Sequence, residues 1–284
     1  MKGHAMPVMS FAVLFTLILV NAGCHTRPAL TDATDDAVTF TARDHAFEGP
    51  ATMSAGHVTM RLVNQGHDPH HAQLIRLTQG KTAKDFIAAL KAEPFTTPAW
   101  AQYAGGPNAV MGNETTEAIL DLEAGDYVLI CQMPDRQGIP HLASGMIQPI
   151  RVIEDQRRRR GPRNDHADSV IRALDFRYNV QQPLRAGQQR VRFVNRGAQP
   201  HEALLVQLNP GATLKDFVAF FEPNASGPPP GRSVGGMTGL EQDQEGSFLI
   251  KLAPGHYGLI CFFLDPGSGM PHFAKGMATE FDVE

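Results

Sequence analysis

The sequence predicts an all-β protein that carries the same sandwich twice, and three observations support this. Short apolar runs with period-two alternation recur along the chain and are bounded by turn residues. Gly and Pro are frequent, 27 and 21 of 284 residues, as expected where strands are joined by turns. The chain also matches itself at a nearly constant spacing from Leu62 to Met146.

Strand prediction rests on local pattern. Val58–Val63 and Gln189–Val194 alternate apolar and polar residues, as half-buried strands do. His71–Leu77, Glu202–Leu208, Tyr127–Cys131 and Tyr257–Cys261 are short and apolar-rich, as interior strands are. One helix is expected per copy, over Thr82–Ala92 and Thr213–Phe221. Thr82 with Asp85, and Thr213 with Asp216, resemble a capping box in which Asp replaces the usual Glu.

The internal match defines the organisation. At an offset of 131, Leu62–Gly66 pairs with Phe193–Gly197, Pro69-His70 with Pro200-His201, and Thr82, Lys84, Asp85 and Phe86 with Thr213, Lys215, Asp216 and Phe217. The offset becomes 130 for AGDYVLIC (124–131) and PGHYGLIC (254–261), then returns to 131 for Pro140-His141 with Pro271-His272 and Gly145-Met146 with Gly276-Met277. A register that survives two small indels marks a duplication. Domain 1 is expected over 37–153 and domain 2 over 169–284. The polar, Arg-rich stretch 154–168 between them reads as an exposed linker.

Residues 1–23 read as a signal peptide: Lys2, an apolar run from Val8 to Val20, then Ala22 and Gly23. Ala-Gly-Cys resembles the end of a bacterial lipoprotein signal, which implies lipid attachment at Cys24, although Asn21 stands where such signals have Leu. Cleavage after Ala22, leaving a secreted protein, is the competing outcome. The expected location is outside the cytoplasm, periplasmic or lipid-anchored to a membrane. A net charge of −4 points to no nucleic-acid partner.

Each copy places four soft or borderline donors at matching positions: His70, Cys131, His141 and Met146, then His201, Cys261, His272 and Met277. Two imidazoles, a thiolate and a weak thioether suit a mononuclear copper site, with zinc the main competing metal for Cys and His. One copper per domain is the expectation. His67 and His71 have no histidine counterpart, so they read as exposed loop residues or aids to copper capture.

On these residues the chain resembles a tandem cupredoxin. The first His follows an Asn-containing strand end (Asn64 to His70, Asn195 to His201), and His141–Met146 and His272–Met277 keep a cupredoxin spacing. The resemblance implies two Greek-key β-sandwiches, each with one helical insertion, and one His per copy near the surface as the electron path. It departs in one respect: nine residues separate Cys131 from His141 and ten separate Cys261 from His272, more than cupredoxins use.

Cupredoxin pairs include multicopper oxidases and nitrite reductases. No His-x-His pair occurs, and the neighbours of the cysteines are Ile130, Gln132, Ile260 and Phe262, so an enzyme is not expected. The leading expectation is electron transfer with a redox protein partner. The alternatives are copper capture and delivery to a copper-exchange partner, or a metal-free sandwich pair serving as an interaction module.

Overall fold

The structure is a computed structural model that describes residues 36–93, 96–135, 137–155, 166–221 and 226–284. The signal segment, Cys24 and most of the linker lie outside the described residues.

The first half contains β1 (Val38–Arg43), β2 (Ala46–Glu48), β3 (Thr52–Ser54), β4 (Gly56–Asn64), β5 (Gln73–Leu77), α1 (Ala83–Ala92), β6 (Ala101–Tyr103), β7 (Thr115–Leu122), β8 (Gly125–Ile130) and β9 (Ile147–Ile153). The second half repeats the plan with β10 (Ser169–Leu174), β11 (Arg177–Val180), β12 (Gly187–Asn195), β13 (His201–Leu208), α2 (Leu214–Ala219), β14 (Gly231–Leu240), β15 (Glu245–Leu252), β16 (Gly255–Ile260) and β17 (Ala278–Val283). This is the all-β, two-sandwich, cupredoxin-like fold expected, with one short helix per repeat.

The alternating strands behave as their pattern demands. In β4, Val58, Met60 and Leu62 are buried while the residues between them are less so. β8 is buried on both sides: Tyr127 and Leu129 enter the main core, and Val128 and Ile130 face the cluster built around Phe86 of α1. Both capping boxes form, with the Thr82 and Thr213 hydroxyls accepting from the Asp85 and Asp216 amides. Each helix thereby docks one buried aromatic, Phe86 or Phe217, whose truncation to Ala costs about 3–5 kcal/mol in a packed site.

The repeats are joined along two antiparallel seams. β7 pairs with β15, Ala118 opposite Phe248, so one sheet of order β11-β10-β12-β15-β7-β4-β1-β2 runs through both halves. Smaller sheets, β14-β13-β16-β17 and β3-β9-β8-β5-β6, complete the two sandwiches. The second seam runs along the segment after β6, where Ala104, Pro107 and Val110 bridge Leu240, Met237 and Val234. Ala118 and Phe248 are equivalent in the repeat, as are Pro107 and Met237, all at an offset of 130. Each seam is therefore centred on a residue and its own counterpart, which is a local twofold relation between the halves.

Glycine lets each seam segment lie against its own half. Gly106 (φ 148°) and Gly236 (φ 130°) are equivalent, and a Cβ on either would lie 1.9 Å from the carbonyl oxygen of Ala72 or Ala203. No other residue fits such an approach.

Candidate metal centres

In each half the strand ends bring two histidines and a cysteine together at one end of the sandwich. His70 follows β4 through a loop clamped by Asn64, whose Nδ2 donates to the Asp68 and Val110 carbonyls and whose Oδ1 accepts from Gly66. Asn195 makes the equivalent bonds to Gln199, Leu240 and Gly197. The recurring Asn therefore shapes the turn that delivers the first histidine. Gly197 is required beneath it, since a Cβ there would lie 2.4 Å from His201 Nε2.

Cys131 and Cys261 directly follow β8 and β16. Their amides donate to the carbonyls of Met146 and Met277 (3.3 and 3.2 Å), and their carbonyls accept from Leu142 and Phe273 (2.7 and 3.1 Å). The long Cys-to-His connections, which departed from the expected spacing, fold back on themselves. Pro134 bridges Pro140 and Leu264 bridges Pro271, so the extra residues protrude as a small hairpin. The Asp135 amide donates to Ile139 O and that of Asp265 to Met270 O, which closes each hairpin. The second histidine then returns to the cysteine as it would from a short loop.

The resulting geometry suits a metal. Cys131 Sγ lies 3.6 Å from His70 Nδ1 and 3.5 Å from His141 Nδ1. Cys261 Sγ lies 3.5 Å from His272 Nδ1, and the Nδ1 atoms of His201 and His272 are 3.1 Å apart. Bonds of about 2.0 Å to nitrogen and 2.3 Å to sulfur, meeting at roughly 110°, place N and S about 3.5 Å apart. The donor atoms of each trio lie within 4.8 Å of one another and all three residues are buried. Met146 and Met277 are fully buried in the same core cluster as the cysteines.

Burial sets the protonation of both trios. It lowers all four histidines, His70 and His272 to about 4, with the neighbouring histidine adding to the effect in those two. It pushes the Cys131 thiol up to about 12 and Cys261 well above its ordinary value. Without a cation the trios are neutral imidazoles beside a thiol. A metal supplies the positive charge that a buried thiolate needs.

The outward Nε2 atoms distinguish the two sites. In the second half His201 Nε2 lies 3.0 Å from Asp175, and His272 Nε2 2.9 Å from Gln199 Oε1. Gln199 is in turn held by Asp265, which pairs with Lys275. These bonds place the ring protons on Nε2 and leave Nδ1 free to bind. In the first half the buried Nε2 atoms of His70 and His141 have no hydrogen-bond partner among the described residues. Asp68, the counterpart of Gln199, stands 3.9 Å from His141 Nε2. Asp44, the counterpart of Asp175, is bonded instead to the amide and ring of His67. Tyr178 in the second half, where the first has Phe47, donates its hydroxyl to the carbonyl of Glu202, the residue after His201, at 2.6 Å.

Two expectations are corrected. None of the candidate histidines reaches the surface: His70, His141, His201 and His272 are all fully buried, because the hairpin and the Asn-clamped loop close over them. His71 is not an exposed loop residue but is buried, only 6% exposed, and accepts from the Gln132 amide, whereas His67 is exposed. Sequence reasoning missed Asp44, Asp68, Asp175 and Gln199. The recurrence of Asp at 44 and 175 was the available signal.

No protein-family profile matches the sequence, and no curated protein matches it. Among solved structures, auracyanin A, a "blue" copper protein from Chloroflexus aurantiacus, is 25% identical, with 41% of this chain and 98% of that chain covered at a TM-score of 0.29. A multicopper oxidase is 13% identical over 87% of this chain and 88% of its own, with a TM-score of 0.26. Copper nitrite reductase from Nitrosomonas europaea is 14% identical over 87% and 93%, also at 0.26. The class of protein, a two-site cupredoxin-like sandwich pair, rests on the fold and donor sets above. The neighbours do correct one expectation. The structures that the chain resembles include an oxidase and a reductase, which are enzymes, so the exclusion of an enzyme is withdrawn.

Proposed function

We propose that the protein is an exported copper protein that transfers electrons through two mononuclear centres. The ligands would be His70, Cys131 and His141 with Met146 as weak fourth ligand, and His201, Cys261 and His272 with Met277. The observation that carries the reading is the twice-repeated convergence of two neutral imidazole Nδ1 atoms on one buried cysteine. Copper in such a donor set supplies one-electron oxidation and reduction with little rearrangement. The chain supplies rigid positioning: the Asn clamps, the hairpins and the Met carbonyl bonds hold each donor whether or not metal is present.

Export follows from the signal-like segment 1–23, and lipid attachment at Cys24 from the Ala-Gly-Cys sequence. The partner is a redox protein. A second reading, copper capture and delivery, is favoured by His45, exposed and 6.1 Å from the His141 ring, and by exposed His67 nearby.

Spectroelectrochemical titration of the copper-loaded chain tests the proposal. Reversible uptake of one electron per site is expected. Tight Cu(I) retention without a reversible couple overturns it in favour of capture and delivery. Absence of stoichiometric metal leaves a metal-free sandwich pair.

A further inference from the structure

His71 and Glu202 occupy equivalent positions, 131 residues apart, each directly after a candidate histidine ligand. Both are buried, and both turn back to the residue that follows the cysteine of their own half. The Gln132 amide donates to His71 Nε2 at 2.7 Å, and the Phe262 amide donates to Glu202 Oε1 at 2.9 Å. An imidazole nitrogen that accepts carries no proton, so the His71 proton sits on Nδ1.

Asn108 stands between these two side chains, 1% exposed, on the second seam. Its side chain faces the His71 ring, and its Nδ2 donates to Glu202 Oε2 and to the Met237 carbonyl, both at 3.0 Å. A buried run of polar side chains thus crosses from one half to the other: the Gln132 amide bonds to His71, His71 faces Asn108, and Asn108 bonds to Glu202, which holds the Phe262 amide. Glu202 accepts at both of its oxygens. The seam does not need this run, because the backbone bonds of Asn108 to Gly236 and of Thr238 to Gly106 already close it. Thr238, the counterpart of Asn108, bonds only to the Gly106 carbonyl within the seam and reaches neither site. Asn108 is therefore where the local twofold relation is broken, and it is broken by a side chain that links the two sites. Polar groups in such a buried run polarise one another.

We propose that the His71–Asn108–Glu202 run couples the two centres, so that a change at Cys131 reaches the amide beside Cys261, with Asn108 as the positioning residue that joins them. The inference rests on the two-site reading, and the coupling is reciprocal if it exists in either direction.

Amide spectra (¹H–¹⁵N) of the full chain test it. In a Cys261→Ser variant, added Cu(I) enters the first site alone, and the Gln132 and Phe262 resonances should both shift. With Asn108→Thr added, which installs the residue of the second repeat, Gln132 should still shift and Phe262 should stay still. Glu202→Gln keeps one acceptor oxygen, which cannot serve the Phe262 and Asn108 amides together, so it should act likewise and serves if Asn108→Thr does not fold. A metal-free arm compares Cys131→Ser with and without Asn108→Thr at the same two amides. A Phe262 shift that survives both Asn108→Thr and Glu202→Gln, or a silent Phe262 while Gln132 moves, overturns the coupling. If Cu(I) moves neither amide but the metal-free arm shows an Asn108-dependent shift at Phe262, the copper reading fails and the coupling stands; no such shift in that arm either overturns both.

Discussion

His201 and Asp175 meet at 3.0 Å through the imidazole Nε2, whereas their counterparts His70 and Asp44 are not hydrogen-bonded, because His67 has taken the carboxylate. The second half has Ala198 where the first has His67, so its Asp175 is left to orient the histidine. A partner of this kind fixes the tautomer and raises ligand basicity, and its loss typically lowers metal affinity about 10–100-fold. With the first site disabled by Cys131→Ser, Asp175→Ala should weaken Cu(I) binding by that factor in competition with a chromophoric chelator. In the converse Cys261→Ser background, His67→Ala should tighten the first site by freeing Asp44. Unchanged affinities in both variants would remove Asp175 and Asp44 from any role at the metal.

Proton release on metal binding is fixed by the same burial. At neutral pH the four histidines are already neutral and both thiols are protonated, so loading should release about one proton per site, from the cysteine. Calorimetry in buffers of different ionisation enthalpy reads this number directly. Two or more protons per site would show that the histidines are charged before binding.

Stability of the metal-free chain should depend on pH from both sides. His70 and His272 titrate at about 4 in the folded chain against 6.5 when unfolded, so between these values the unfolded chain binds the extra protons. Their contribution is complete above about 6.5 and is lost as pH falls toward 4. Cys131 has the opposite sign in effect: the folded chain keeps a proton that the unfolded chain loses above its ordinary value of 9.0, so stability declines from there toward about 12. Urea midpoints measured at pH 4.5, 7 and 10 should pass through a maximum at the middle value.

The seam makes a separate prediction. Gly106→Ala or Gly236→Ala sets a methyl against a carbonyl oxygen at a backbone angle that alanine resists. Each should destabilise the chain by at least about 2 kcal/mol, seen as a lower denaturant midpoint. By contrast Gly138→Ala, with nothing within 4 Å of the added Cβ, leaves only the local strain at φ 77° and should cost less. Equal losses for Gly106 and Gly138 would mean that the segment after β6 tolerates separation from Ala72.

Much of the site was legible because the duplication prints it twice. His70, Cys131, His141 and Met146 stand out less by type than by recurring as His201, Cys261, His272 and Met277 through two register shifts. The helices were legible from Thr82 and Thr213 with their Asp partners, since a capping box is a local device. The connections between the halves were not. Whether β7 meets β15, or Asn108 meets Glu202, depends on which strand edge is left open after each sandwich closes, and local periodicity is blind to that. The burial of His71 was missed for the same reason: its neighbours Asp68, Pro69 and His70 read as a polar turn, and only the second seam covers it. The long Cys-to-His loops looked like a threat to the site because spacing counts residues and not the hairpin they form.

The most direct test of the central claim is visible absorption of the full chain during Cu(II) addition, compared with Cys131→Ser and Cys261→Ser. An intense thiolate-to-copper band that saturates with both sites filled, loses one component in each variant and vanishes in the double variant is the predicted result. A colourless protein, or a band indifferent to both cysteines, would contradict the assignment of copper to these two sites.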